Sequence, residues 1–292
     1  MANYTVLYNP LAGNGAANTE VQKLTELLPE DRVRYFDMTE IKDYPSFFLG
    51  LPEGERIVVV GGDGTLNRFI NDVGDYPLEK LDVYHYGAGS GNDFMNDLGK
   101  KKGEPPFPIN QYLRDLPTVT IKGKTYKFLN GVGYGIDGYC CEEGDRQRTL
   151  SSKPVNYTSI AIKGLLFKFK PASATVTVDG VTRKYKKVWL APMMNGRFYG
   201  GGMMPTPNQD RLNKERTLSV LVWHDSGKLK TLTAFPGIFK GEHIKQKKCE
   251  VFVGKEIIVE FDRPVAAQID GETVLNVTRC EARSAALRKA EV

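Results

Sequence analysis

The pattern of apolar and polar positions gives this chain two textures. In the first third, short runs rich in apolar residues alternate with amphipathic stretches. Tyr4 to Tyr8, Arg32 to Phe36, Ile57 to Val60 and Leu81 to Tyr86 read as strands, and Ala16 to Leu28 and Thr65 to Val73 as helices. A run such as Ile57 to Val60 suits a strand buried on both faces, and repeated strand, loop and helix argue for a parallel sheet covered by helices. From about Thr118 the strands come at short spacing: Thr118 to Ile121, Tyr126 to Asn130, Ala174 to Val178, Lys184 to Ala191, Leu218 to Trp223, Glu250 to Val253, Ile257 to Phe261 and Val265 to Ile269. Asp179-Gly180 is a strong hairpin turn. Helical insertions are expected over Gly138 to Arg148 and Asn156 to Phe169. The expected organisation is an α/β domain with a parallel sheet over 1–125 and a mainly antiparallel β-sandwich domain over 126–292.

The chemistry concentrates where strands end. RIVVVGGDGTLN, Arg56 to Asn67, runs from a buried strand through Gly61, Gly62 and Gly64 into a helix. Glycines let the backbone approach an anion closely, and the positive end of the helix faces the same spot. A carboxylate inside that cradle, Asp63, would repel phosphate unless a hard cation such as Mg2+ lay between. A tight turn that uses glycine only for geometry is the bland alternative; Asp63 and Thr65 together favour phosphate. The first strand runs into Asn9, Pro10, Leu11, Ala12 and Gly13, and Leu81 to Tyr86 into Gly87, Ala88, Gly89, Ser90, Gly91, Asn92 and Asp93. Loops at the carboxyl ends of strands are where open parallel sheets bind ligands. The second loop breaks the GxGxxG pattern, and GxxxxGK[ST] occurs nowhere.

Composition, with 41% apolar and 26% charged residues, is that of a globular chain, and no apolar run reaches the length of a membrane span. A cytoplasmic protein is expected. Cys140, Cys141, Cys249 and Cys280 fit neither a metal spacing nor a disulfide framework. The net charge of +5 is unevenly spread: 161–187 holds seven Lys or Arg against Asp179 alone, and 228–248 six Lys against Glu242 alone. Such patches suit an anionic surface, membrane or nucleic acid, or a merely solvated face. Ile162, Leu165, Leu166 and Phe169 keep a helical spacing, with Lys163, Phe167 and Lys170 on another face suited to a lipid surface. GGGMMPTP, Gly200 to Pro207, reads as an apolar loop, and QIDGE, Gln268 to Glu272, as a strand end and turn with two carboxylates; taken alone, the latter is better explained as an ordinary Asp-Gly hairpin turn. His85, His224 and His243 form no triad.

In this order NPLAG (Asn9 to Gly13), GGDGT (Gly61 to Thr65), GAGSGNDF (Gly87 to Phe94), GGGMMPTP and QIDGE resemble the bacterial soluble diacylglycerol kinase family, related to sphingosine and ceramide kinases. GGDGT alone is shared with NAD kinases and phosphofructokinases; the other motifs narrow it to lipid kinases. The resemblance implies an NAD-kinase/diacylglycerol-kinase-like fold and ATP- and Mg2+-dependent transfer of the γ-phosphoryl group to a lipid primary hydroxyl, with the nucleotide in an interdomain cleft. Diacylglycerol would give phosphatidic acid. Asn9, Pro10, Gly13, Thr39, Gly61, Gly62, Asp63, Gly64, Thr65, Leu66, Asn67, Ser90 and Asn92 match its ATP-binding positions. Asp63 and Asp93 match its Mg2+ ligands, Asp137 and Asp270 its supporting acids, and Glu272 its catalytic base, with Asp63 also placed in catalysis. The implied partners are a membrane surface and a lipid substrate, not nucleic acid, with a homodimer left open and the protein peripheral to the membrane. A structural Mg2+ loop of that family, typically Asp-Gly-x-Leu, aligns with Glu215, Arg216, Thr217 and Leu218, downstream of Asn213, which puts that metal in doubt. A kinase of another lipid or soluble alcohol, or a nucleotide- and lipid-binding protein without turnover, remain the alternatives.

Overall fold

The structure is a computed structural model that describes residues 3–10, 17–28, 32–150 and 155–290. The chain divides into two compact units, Met1–Leu116 and Pro117–Val292. The division falls ahead of the expected 125 because Thr118–Ile121 pairs with a strand near the C-terminus and belongs to the second unit's sheet.

In the first unit, β1 (Tyr4–Tyr8), β2 (Val33–Asp37), β3 (Arg56–Gly61), β4 (Asp82–Gly87) and the short β5 (Phe107–Pro108) form one sheet in the order β2-β1-β3-β4-β5, parallel except for β5. The four apolar residues of β3 are at most 1% exposed, so each withdraws its whole side chain from water, worth about 2 kcal/mol apiece. β3 then turns into α3 (Asp63–Asp72), which buries Leu66, Phe69 and Ile70 against the sheet. Ahead of it lie α1 (Ala17–Thr25) and α2 (Tyr44–Leu49), a helix that the apolar pattern does not reveal. The Asp43 side chain caps α2, and an edge-to-face aromatic cluster of Phe36, Tyr44, Phe47, Phe48 and Phe69 docks it. After β4 come α4 (Asp93–Asp97) and α5 (Asn110–Leu113).

The second unit is built on antiparallel β6 (Thr118–Ile121), β7 (Lys124–Lys127), β8 (Gly131–Tyr134), β9 (Ala172–Val178), β10 (Val181–Val188), β11 (Met193–Met194), β12 (Leu218–Trp223), β13 (Cys249–Gly254), β14 (Glu256–Ile269) and β15 (Glu272–Arg283). β14 is the spine. It pairs with β15 along its length, with β9 through Ile257 to Phe261, and with β8 through Ala267 to Ile269. The two strands expected on either side of residue 263 are therefore one, bent where the register shifts around Val265. Pro264 sits at that bend because it has no amide to give a ladder. The β9-β10 hairpin turns through Asp179 and Gly180, φ 46° and 81°, the pair of positive angles that the Asp-Gly sequence foretells. Helices α6 (Ile136–Leu150), α7 (Tyr157–Lys163) and α8 (Lys228–Ala234) cover the sheet, α7 running on into one wide turn over Gly164–Lys168. In that segment Leu165 and Phe169 are buried as the spacing predicts, but Ile162 is exposed rather than part of the apolar face.

Candidate active site

Parallel register brings the first unit's candidates together. Thr39 follows β2, Asn9 and Pro10 follow β1, Gly61 to Asn67 follow β3, and Ser90, Asn92 and Asp93 follow β4, so all lie beyond the carboxyl edge of one sheet. The chain moves outward from β1 to β2 and then returns to the far side of β1 with β3, making the β1-β3 position the topological switch point where such sheets hold ligands. Gly13 lies outside the described residues.

Glycine is required here by contact. Gly61 pairs with Gly87 at the ends of β3 and β4, and the Ala88 amide donates to the Gly61 carbonyl at 2.8 Å. One residue further on, a Cβ on Gly89 would lie 2.5 Å from the Gly62 Cα, and one on Gly62 would lie 2.9 Å from the Gly89 Cα. The two glycine loops thus meet backbone to backbone. Asn92, at φ 49°, donates from Nδ2 to the Gly89 carbonyl at 2.9 Å, and its buried Oδ1 has no hydrogen-bond partner.

Asp63 joins these loops. Its two carboxylate oxygens accept the amides of Asp93 and Phe94 at 2.8 and 2.9 Å, capping α4 from the first turn of α3. The carboxylate is therefore fixed by the fold. Thr65 is buried beside Gly61. Leu66 is fully buried and its amide bonds to the Gly62 carbonyl, so its part is in the core; Asn67 is buried too and its side-chain oxygen accepts from Asn71. The Thr39 amide and hydroxyl both donate to Asp37 Oδ1, closing the turn after β2.

In the second unit Asp270 and Gly271, φ 47° and 100°, make the tight turn between β14 and β15. The buried Asp270 carboxylate accepts the amides of Leu129, Asn130 and Gly131 at 2.6, 2.8 and 3.0 Å, a fully satisfied structural anchor. Glu272 opens β15 and is exposed to solvent. The hairpin that carries it is braced by Gln268 Oε1, which accepts the Gly271 amide at 2.6 Å, and by the Thr273 hydroxyl, which donates to Asp145 of α6 at 2.6 Å. Of the two carboxylates in this motif, Asp270 is buried in the fold and Glu272 is exposed on the braced hairpin.

Asp137, in the first turn of α6, is 6% exposed, and neither of its oxygens has a hydrogen-bond partner of normal geometry. Burial pushes its carboxyl up to about 6, offset only in part by nearby amides and the Tyr199 hydroxyl. Tyr199, itself buried, is pushed well above the usual phenol range by burial first and then by Asp137. The unfolded chain releases this proton near pH 4 and the folded chain only near pH 6, so the group subtracts stability as pH rises between those values, about 3 kcal/mol once above both. Asp137→Asn is expected to unfold later than the native chain at pH 7.5, with the gap closing toward pH 4; a gap constant across pH would contradict that origin. The family resemblance singles this residue out, but its burial is not legible in the sequence. Burial comes from Gly138, where a Cβ would lie 1.9 Å from the Ala266 carbonyl, letting α6 pack tightly on β14.

All four cysteines are free, as their spacing predicts, with burial raising their thiols. No helix among the described residues is long and apolar enough to cross a membrane.

Residues 3–121 match the diacylglycerol kinase catalytic domain, and residues 130–288 match the YegS C-terminal NAD kinase beta sandwich-like domain. Similar proteins include a diacylglycerol kinase of Mycobacterium tuberculosis, 26% identical over 88% of this chain and 84% of that one. Another is YtlR of Bacillus subtilis, a lipid kinase by designation, 25% identical over 75% of this chain and 74% of its own. A Bacillus anthracis structure designated a diacylglycerol kinase shares the fold, with TM-score 0.66 and 19% identity over 97% of this chain and 94% of that one. With both halves matched in order, the chain belongs to the diacylglycerol kinase family of lipid kinases.

Proposed function

We propose that this lipid kinase transfers the γ-phosphoryl group of ATP to the primary hydroxyl of diacylglycerol, giving phosphatidic acid. The observation that carries the reading is the backbone contact of two glycine loops, Gly62 against Gly89, beyond the carboxyl ends of β3 and β4 and beside the switch point of a parallel sheet. Their amides and the N-terminus of α3 suit a polyphosphate. The fixed carboxylate of Asp63 and the adjacent Asp93 would hold Mg2+, which, when bound, cancels charge on the phosphate oxygens. Phosphoryl transfer passes through a loose transition state, so the protein's share is alignment and charge stabilisation. Glu272 cannot strip a proton from a ground-state alcohol, whose pKa lies far above a carboxylate's ordinary ~4.3. It orients the hydroxyl and accepts the proton late, as the bond to phosphorus forms.

The test is transfer of label from ATP to lipid in vesicles containing diacylglycerol, with a panel of soluble alcohols beside it. Labelled phosphatidic acid is expected. Label appearing only in soluble acceptors, or tight binding of nucleotide and vesicles without product, would replace this reading with one of its alternatives.

The lipid is reached from a bilayer, and the second unit has a face suited to an anionic leaflet. Phe167 is 73% exposed with Lys168 next to it and Lys163 and Lys170 close by; Leu229, 72% exposed, lies between Lys228 and Lys230; Phe239 precedes Lys240. Lys228 Nζ donates to the Leu166 carbonyl at 3.0 Å, tying α8 to the wide turn that bears Phe167. Each lysine near an anionic surface contributes about 1 kcal/mol and a buried Phe about 2 kcal/mol more. Phe167→Glu is expected to weaken flotation with phosphatidylserine vesicles at least tenfold, and added salt to weaken that of the native chain. Binding indifferent to both would rule this face out.

A further inference from the structure

The loop ahead of β12 lies where the family resemblance would put a structural divalent ion, and its oxygens do not suit one. A hard cation needs about six oxygen ligands. Here the Asp210 carbonyl accepts both the amide and Nδ2 of Asn213, at 3.1 and 2.7 Å, and the Asn213 carbonyl accepts the Arg216 amide at 3.0 Å. The Arg211 carbonyl accepts Arg216 Nη1 at 3.4 Å. The Thr217 carbonyl accepts Gln209 Nε2 and Asn213 Nδ2 at 2.9 and 3.0 Å, and the Arg216 carbonyl accepts the Ser284 hydroxyl. Asn213 Oδ1 takes the Thr217 amide and hydroxyl. Glu215, with 76% of its side chain exposed, meets Lys255 at 3.4 Å. Arg216 holds φ 53° where the Asp-Gly-x-Leu pattern has glycine, keeping the left-handed backbone and adding a positive charge.

A second cation lies deeper. Arg211 is 6% exposed and donates from Nη1 to the Leu129 carbonyl at 3.2 Å and from Nη2 to Asn130 Oδ1 at 3.1 Å. These belong to the same turn, 129–131, whose amides bind Asp270. One turn is thus gripped by a buried guanidinium through its oxygens and by a buried carboxylate through its amides. Two guanidinium groups in this loop would also repel a divalent ion.

We propose that Arg211 is the built-in cation of the second unit: with Asn213 and Arg216 it closes the 209–218 loop without a divalent metal and pins the 129–131 turn whose amides hold Asp270. A chain built this way needs no metal to complete its second unit. The inference concerns folding, so it stands whether or not the substrate is diacylglycerol.

Both tryptophans, Trp189 and Trp223, are buried in the second unit, so their emission follows its unfolding within the full chain. Heating is to be followed by that emission in excess EDTA, in MgCl2 and in CaCl2, without nucleotide. The native midpoint is expected to be the same in all three, whereas a site filled at a hundred times its dissociation constant would raise it by about 5–10 °C. Arg211→Met, which keeps the apolar stem and removes the charge, is expected to lower the midpoint by about 5–10 °C in every buffer. A native midpoint that rises with either ion or falls with EDTA overturns the proposal, as does an Arg211→Met chain that melts like the native one. Should that variant fail to accumulate, the comparison of buffers on the native chain decides alone.

Discussion

Glu272→Gln is expected to lower the rate of transfer to lipid by about 10²–10⁴-fold while the melting of the protein stays where it was. The side chain is exposed at the start of β15, and exchanging one oxygen for an amide nitrogen leaves the bracing of the hairpin by Gln268 and Thr273 in place. Glutamine has the same length and can still accept a hydrogen bond from the lipid hydroxyl. What it loses is the capacity to take the proton as the phosphorus bond forms. The loss should therefore fall on kcat, with KM for lipid nearly unchanged. Steady-state transfer in vesicles, beside a melting curve, separates the outcomes. A raised KM at full kcat would make Glu272 a binding residue, and unaltered kinetics would remove it from the reaction.

What could be read beforehand was what local rules govern. The wholly apolar Ile57 to Val60 followed by glycines needed no distant partner to declare a buried strand, a turn and a helix, and Asp179-Gly180 declared its hairpin by its own backbone preference. β15 was missed because only Val277, Cys280 and Ala282 of its second half face inward, with Thr278, Arg279 and Glu281 between them. Its identity as a strand comes from β14, to which the Asp270-Gly271 turn joins it and with which it pairs from Ile269–Glu272 out to Glu256–Arg283, a span longer than a local window. The lysine-rich helix α8 hid for a similar reason: its exposed Leu229 breaks the usual inward stripe. The site shows the same division. Asp63 and Asp93 are thirty positions apart, and only the parallel register of β3 and β4 sets the Asp63 carboxylate against the first amides of α4. The motif singles out Asp63 and leaves open that its carboxylate holds the two loops together.

Two residues before Glu272, Asp270 should behave in the opposite way. Asp270→Ala leaves the amides of Leu129, Asn130 and Gly131 without their acceptor in a buried turn. At 1–3 kcal/mol for each orphaned donor, less what relaxation and entering water recover, the expected loss is about 3–6 kcal/mol. Against the 5–15 kcal/mol typical of a folded domain, that is a large part of the whole. Alanine adds to the cost because residue 270 sits at φ 47°, a conformation that Asp and Asn tolerate and alanine resists. Asp270→Asn keeps that backbone preference and one acceptor oxygen but points an NH2 group at an amide donor, so an intermediate loss is expected. Denaturant titration followed by the emission of Trp189 and Trp223 measures both variants in the unit where the turn lies. If Asp270→Ala unfolds at the native midpoint and loses only transfer activity, the carboxylate acts on substrate rather than on the turn. If it unfolds early while Glu272→Gln does not, the Asp-Gly-Glu motif divides its labour within three residues, its first acid holding the backbone on which the last one works.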